Sequence, residues 1–215
     1  MPSKPALPIE QSALLVIDAQ DSFKVGPRWA RRSNHDFETN VDRLVGAWRA
    51  AGLPVIFVLH TDEDEAFSTD SPSFKLMDFL VPRESEPVLV KTTRNAFTST
   101  NLQAILTAQG VLRLVISGIQ TEQCCETTTR LAADLGYDVD FVTEATMTFP
   151  IPHPELPEEL STEEIVRRTE YALRNRFARI ARVDALVAEA QGAPLKPRAL
   201  PWAEEARAFG PSAHP

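Results

Sequence analysis

Cysteine is nearly absent from the chain: there are two in 215 residues, and they stand together as Cys124-Cys125. Without others there is no disulfide framework of the kind small secreted domains rely on, so a reducing cytoplasm is the expected compartment. Runs of positive charge are missing as well. No stretch of Lys or Arg exceeds a pair, and the formal net charge is −8 with a pI near 5.1. Nucleic acid and acidic membrane surfaces are therefore not expected partners. No segment approaches the roughly eighteen consecutive apolar residues of a membrane span, and the opening MPSKPALPIEQSALLVID lacks the apolar core of a signal peptide. Histidine is scarce too, with four in the chain and none between His60 and His153.

What is present is a full apolar complement, 43% of residues, enough for a sizeable core in one domain. Short apolar runs alternate with amphipathic stretches, the rhythm of a parallel sheet with helices on both faces. Strands are expected at Ala13–Ile17, Pro54–Leu59, Pro87–Val90, Val111–Ser117, Tyr137–Val142 and around Ala178–Val183. Helical spacing marks Phe37, Val41, Leu44, Val45, Trp48 and Ala51, then Leu102, Ile105 and Leu106, then about Glu122–Leu135. A last helix is expected from Ser161 or Thr162 as N-cap through Ile165, Thr169, Leu173 and Phe177. Twelve of the seventeen prolines cluster in 2–8, 150–157 and 194–215, marking leader, loop and tail. The expected fold is thus α/β and doubly wound, a three-layer sandwich around a mostly parallel six-stranded sheet, with a leader at 1–12, one domain at 13–191 and a Pro-rich tail at 192–215.

In such sheets ligands bind beyond the carboxyl ends of the strands. Asp18 ends the first strand, Lys91 the third, and Cys124 opens the helix after the fourth. A carboxylate can take a thiol proton, an ammonium can favour the thiolate, and a thiol can attack a carbonyl. A cysteine at a strand-to-helix turn also gains thiolate character from the helix N-terminus, so rapid alkylation below pH 7 is the expectation. Each residue also has a plainer reading: Asp18 as a turn former, Lys91 as a solvated strand end, Cys124 as buried and inert.

On these residues the chain resembles the isochorismatase-like cysteine hydrolases, a superfamily that includes nicotinamidases and N-carbamoylsarcosine amidases. The resemblance rests on Asp18-Ala19-Gln20-Asp21-Ser22-Phe23, on Lys91 with Ala96-Phe97-Thr98-Ser99-Thr100-Asn101-Leu102, and on Gly118-Ile119-Gln120-Thr121-Glu122-Gln123-Cys124. It implies an Asp18-Lys91-Cys124 triad that cleaves a C–N bond of a small amide, carbamoyl or ureide substrate through an acyl-enzyme, without a cofactor. It also implies a cis peptide at Ile119-Gln120 and oxyanion donors from the N–H groups of Cys124 and of Gln120 or Thr121. Homodimers or homotetramers are common in the superfamily, and the tail is expected either to lie on a neighbouring subunit or to be free. Nicotinamidases hold a metal with an Asp-x-His pair and a second His, whereas this chain has His60-Thr61-Asp62-Glu63-Asp64-Glu65, so no metal is expected. Isochorismatases proper act on a vinyl ether and lack the nucleophilic cysteine, which sets that alternative against Cys124.

Cys125 lies about 100° round the helix from Cys124 and shares a face with Thr128, Thr129 and Ala132, which reads as core. A thiol redox protein, in which both cysteines would be essential, and a non-catalytic binding protein remain the competing classes. Phe23, Trp29, His60, Phe97 and Phe149 read either as an aromatic-lined substrate pocket or as ordinary core. Gln123 and Glu122 flank the nucleophile as polar candidates, and Arg28, Arg31 and Arg32 read as a carboxylate site or as a solvated loop.

Overall fold

The computed structural model describes residues 7–174 and 176–194. The expected tail beyond residue 194 and the first six residues of the leader lie outside the described residues. Strands β1 (Ser12–Ile17) and β2 (Val55–His60) are buried at every position, as strands covered by helices on both faces must be. β3 (Val88–Lys91) follows, and then β4 (Arg113–Ile119), β5 (Asp138–Met147) and β8 (Arg179–Ile180). The six form one sheet in the order β3-β2-β1-β4-β5-β8, and every pairing is parallel. A separate two-stranded hairpin, β6 (Ile151–Pro152) with β7 (Glu159–Leu160), begins in the 150–157 segment read as a loop and closes just beyond it.

Period-two alternation sends Leu14 and Val16 of β1, with Phe57 of β2, to one face. There they meet α1 (Phe37–Ala50) and α5 (Val183–Ala190) through Val41, Leu44, Trp48 and Leu186. Ala13, Leu15 and Ile17 go to the other face, against α2 (Leu102–Ala108), α3 (Glu126–Asp134) and α4 (Thr162–Leu173) through Leu102, Leu106, Ala132 and Leu173. The chain steps outward from β1 to β2 by way of α1 on the first face and inward from β3 to β4 by way of α2 on the second. Both crossovers thereby share one hand, which for parallel β-α-β units is right-handed, and the order reverses between β1 and β4.

Three local readings are corrected. β5 runs to Met147 rather than Val142, because the β4 register slips between Ile116 and Gly118 while β5 advances from Phe141 to Thr146. The amides of Asn34 and Asn40 then take up the Glu144 carbonyl of that irregular stretch, at 2.7 and 2.8 Å. α4 stops at Leu173, four residues short of Phe177, although Ser161 caps it with a capping box to Glu164. The final strand is two residues, Arg179–Ile180, and Val183 opens α5, which the apolar run around it did not distinguish from strand.

Candidate active site

The β1, β3 and β4 carboxyl ends deliver three reactive side chains to one point. Asp18 follows β1 directly, its amide bonded to the Val58 carbonyl at 2.8 Å and its φ at +51°, a left-handed conformation that turns the chain sharply off the strand. Lys91 is the one buried residue of edge strand β3. In register it sits opposite His60 of β2, so the two side chains run side by side. Next to β1, Gly118 of β4 lies opposite Ile17, and a β-carbon there would meet the Ile17 carbonyl oxygen at 1.9 Å. Only glycine allows the two strand ends to approach so closely. Beyond Gly118 the Ile119-Gln120 peptide is cis, and the chain enters a single π-helical turn, Thr121–Cys125, before α3. The Gln120 carbonyl accepts from the amides of Gln123 and Cys125 at 3.2 and 3.1 Å, which winds Cys124 back over the strand ends.

At the centre is the Lys91 ammonium. Its Nζ lies 2.8 Å from Asp18 Oδ2, 3.4 Å from Cys124 Sγ and 3.2 Å from His60 Nδ1. The carboxylate and the sulfur can each take one of its three protons, and the imidazole takes the third only in the tautomer that leaves Nδ1 unprotonated. Asp18 and Lys91 are wholly buried and Cys124 is 5% exposed. Apart from that ion pair, and the thiol beside it, the Asp18 oxygens meet no well-aligned donor. Burial raises the Asp18 carboxyl above its ordinary value of 3.8, against the pull of Lys91. Burial, and then the Asp18 charge, push the Cys124 thiol up to about 12, which Lys91 only partly offsets. The expected free thiolate is therefore corrected: one cation faces one anion, and a second anion would be unpaired in so buried a site.

His60 is neutral, its pKa lowered by burial and by Lys91. Nδ1 faces the Lys91 ammonium at 3.2 Å, and Nε2 lies 3.1 Å from Asp62 Oδ2. Arg94 stands at the same edge, Nη1 2.6 Å from Nε2 and 3.9 Å from Asp62, and because Lys and Arg only donate, the neutral ring can accept from one of these two cations and not both. Both ring nitrogens are thus engaged by side chains of this chain, two of them cationic, and among the described residues no group of three or more His, Cys, Asp and Glu is placed to hold a metal ion. The residues do not fit the metal site of nicotinamidases. Asp62 and Asp64 instead accept from the backbone amides of Asp64 and Ala66 and form ordinary turns.

The other candidates divide. Phe23 stacks on Phe149 at 6.0 Å and meets Phe67 edge-on at 5.0 Å, and Phe67 in turn packs against the His60 ring at 6.0 Å. Trp29 is partly buried beside this group, its ring covered by Arg32 and Lys24. Phe97 is not brought to it: its ring stacks on Tyr137 in the core of the opposite face. Thr121 donates to Thr146 at 2.8 Å, while Gln123 flanks Glu122 at the surface of the turn. Cys125 is fully buried in the core with Ala132, and both cysteines are free thiols.

Three residues went unassigned from sequence. Gln20, third in the D-x-Q motif, clamps His60, its amide accepting from His60 N at 2.7 Å and donating to His60 O at 3.0 Å. Arg94 follows Lys91 by three positions, a spacing that was legible but carried no signal. Phe67 lies in the long segment between β2 and β3, where nothing marks it as core.

The Isochorismatase domain family matches residues 12–183. This chain belongs to the isochorismatase family of hydrolases. The family member is 31% identical over 142 residues to the uncharacterized isochorismatase family protein YrdC of Bacillus subtilis, covering 65% of this chain and 75% of that one. It is 28% identical over 165 residues to ureidoacrylate amidohydrolase RutB of Yersinia enterocolitica, covering 60% and 72%. A solved structure of an isochorismatase-family hydrolase from Chromobacterium violaceum matches with a TM-score of 0.80 at 28% identity, over 90% of this chain and 100% of the other. Among the described residues, no helix of this isochorismatase-family hydrolase is long and apolar enough to cross a membrane.

Proposed function

We propose that the protein hydrolyses a C–N bond of a small amide, carbamoyl or ureide substrate, with Cys124 as nucleophile, Asp18 as acid and base, and Lys91 as the fixed counter-charge. One observation carries this reading: a single buried ammonium touches both the carboxylate and the thiol. Moving the thiol proton to Asp18 shifts one negative charge from carboxylate to sulfur while the total stays constant beside Lys91. The transfer therefore avoids the second buried anion that makes loss of the proton to solvent so costly.

In the first half-reaction Sγ bonds to the carbonyl carbon as its proton passes to Asp18. The oxygen of the tetrahedral adduct is held by the backbone N–H of Cys124 and of Gln120 or Thr121. Collapse breaks the C–N bond, and Asp18 returns the proton to the departing nitrogen. Water then gives its proton to Asp18, attacks the acyl-enzyme and releases the acid, with the proton returned to Cys124. Ureidoacrylate amidohydrolase, similar over more than half of this chain, bears a name that supports this bond class. The burial of Cys125 argues against a dithiol redox function.

The test is ammonia release from a panel of carboxamides, N-carbamoyl amino acids and ureides by the wild-type protein and by Cys124→Ala. The reading expects release from at least one class, lost by a thousandfold or more in the variant. Equal release by both proteins would refute it.

A further inference from the structure

Arg28, Arg31, Arg32 and Arg94 differ in their surroundings. Arg31 pairs with Glu159, Arg32 donates to the Trp29 carbonyl at 3.0 Å, and Arg94 has Asp62 at 3.9 Å. Arg28 has none of these. Its guanidinium carbon lies 5.1 Å from the ring centres of both Phe23 and Phe149, and 5.9 Å from that of Phe67. Among the described residues no carboxylate reaches ion-pairing distance of it, and Asp64 acts on it only from farther off. Stacking over rings gives a cation some attraction but supplies no hydrogen-bond acceptor in the ring plane, and leaves its N–H groups open to an incoming acceptor. Arg28 as a residue remains exposed, so an incoming molecule can reach it.

The three rings tie Arg28 to the reacting groups. Phe67 packs on His60, which touches Lys91. Phe149 follows Thr148, whose hydroxyl donates to Glu122 at 2.6 Å, two residues before the nucleophile. Phe23 follows Asp18 by five positions, in the short 3-10 helix Asp21–Lys24. The guanidinium is therefore linked to Lys91 through two successive rings, its carbon 5.9 Å from the Phe67 centre and that centre 6.0 Å from the His60 ring that touches Lys91.

We propose that Arg28 is the specificity anchor of this hydrolase, pairing with a carboxylate that the substrate carries away from the scissile carbonyl. This rests on the C–N hydrolase reading and narrows its substrates to anionic ones, such as N-carbamoyl amino acids and ureido or amido acids. A guanidinium held flat against aromatic rings keeps its fork pre-organised for a carboxylate. The apolar platform keeps water from one side of the pair, which strengthens it relative to a surface ion pair.

Binding of N-carbamoylglycine and of its uncharged partner N-carbamoylglycinamide is measured by calorimetry on Cys124→Ala protein, with and without Arg28→Gln and Arg28→Lys. The proposal expects the acid to bind tighter than the amide, and Arg28→Gln to weaken the acid by about tenfold to a hundredfold while changing the amide less than about threefold. Arg28→Lys keeps the charge and loses the stacked fork, so it falls between, and added salt weakens the acid alone. Equal affinity for acid and amide, equal loss of both in Arg28→Gln, or no binding of the acid at millimolar concentration would each overturn the proposal. Turnover that survives in Cys124→Ala would instead sink the hydrolase reading, whatever the binding data show.

Discussion

Lys91→Met isolates the electrostatics of the site from its shape. Methionine preserves most of the buried stem and removes the charge, leaving the Asp18 carboxylate, wholly buried, without the cation 2.8 Å away. In an effective dielectric near 20, attraction at that separation is about 6 kcal/mol, and breaking buried pairs costs about 3–5 kcal/mol in practice. Asp18→Asn should cost less, because Lys91 still donates to His60 and Cys124. The double variant should then be more stable than the sum of the single losses by about 2–3 kcal/mol. The sign with pH follows from the carboxyl. Burial already holds Asp18 above 3.8 in the folded protein, and losing Lys91 raises it further. Below 3.8 both folded and unfolded forms are protonated, so the Lys91→Met penalty vanishes there, and it grows as pH rises to the folded value. Urea unfolding of the four proteins at pH 4.5 and 7.5 makes the comparison. Additivity within about 0.5 kcal/mol at pH 7.5 would refute the buried pair as the organiser of the site.

Other consequences are as direct. With the thiol pushed up to about 12, Cys124 should alkylate with iodoacetamide at a rate that climbs through pH 9 without a plateau, and Asp18→Asn should speed it at pH 8, since the Asp18 charge raises the thiol. Peptide mapping by mass reads this, and a plateau below pH 8 would contradict it. Burial raises the Glu122 carboxyl above 4.5, so its ionisation weakens the fold at higher pH and costs nothing below 4.5. Glu122→Gln should therefore melt progressively higher than wild type as pH goes from 4.5 to 8, and a constant difference would rule out that origin. Gly118→Ala should lose more than about 2 kcal/mol or fail to fold, because the new carbon would lie 1.9 Å from the Ile17 oxygen at a φ of +128°. An unchanged denaturation midpoint would show that the strand ends separate easily.

The residues at the ends of β1, β3 and β4 were legible because an apolar run that stops at Asp, Lys or a turn into Cys reports both strand and edge. Phe23, Phe149 and His60 were legible as aromatic candidates, but their union through Phe67 was not, since Phe67 sits in a segment with no periodicity. Phe97 reads the same way as Phe23 in sequence, and only packing on Tyr137 separates the two. The protonation of Cys124 was misread because position at a helix start is visible in sequence while burial and the nearness of Asp18 are not. β5 looked finished at Val142 because Thr143, Glu144 and Thr146 are polar, yet the register slip lets the strand resume and bury Thr146. α5 was missed for a different reason: at eight residues, VDALVAEA is too short for its periodicity to separate helix from strand.

The central claim is that Cys124 bonds covalently to substrate carbon. Rapid quenching of the protein with a substrate from the panel that releases ammonia, followed by intact-mass and peptide analysis, tests it directly. The account predicts an adduct with the mass of the acyl or carbamoyl group, confined to the Cys124 peptide, formed within one turnover and absent from Cys124→Ala. Full turnover with no adduct at Cys124, or an adduct on Cys125 alone, would contradict it.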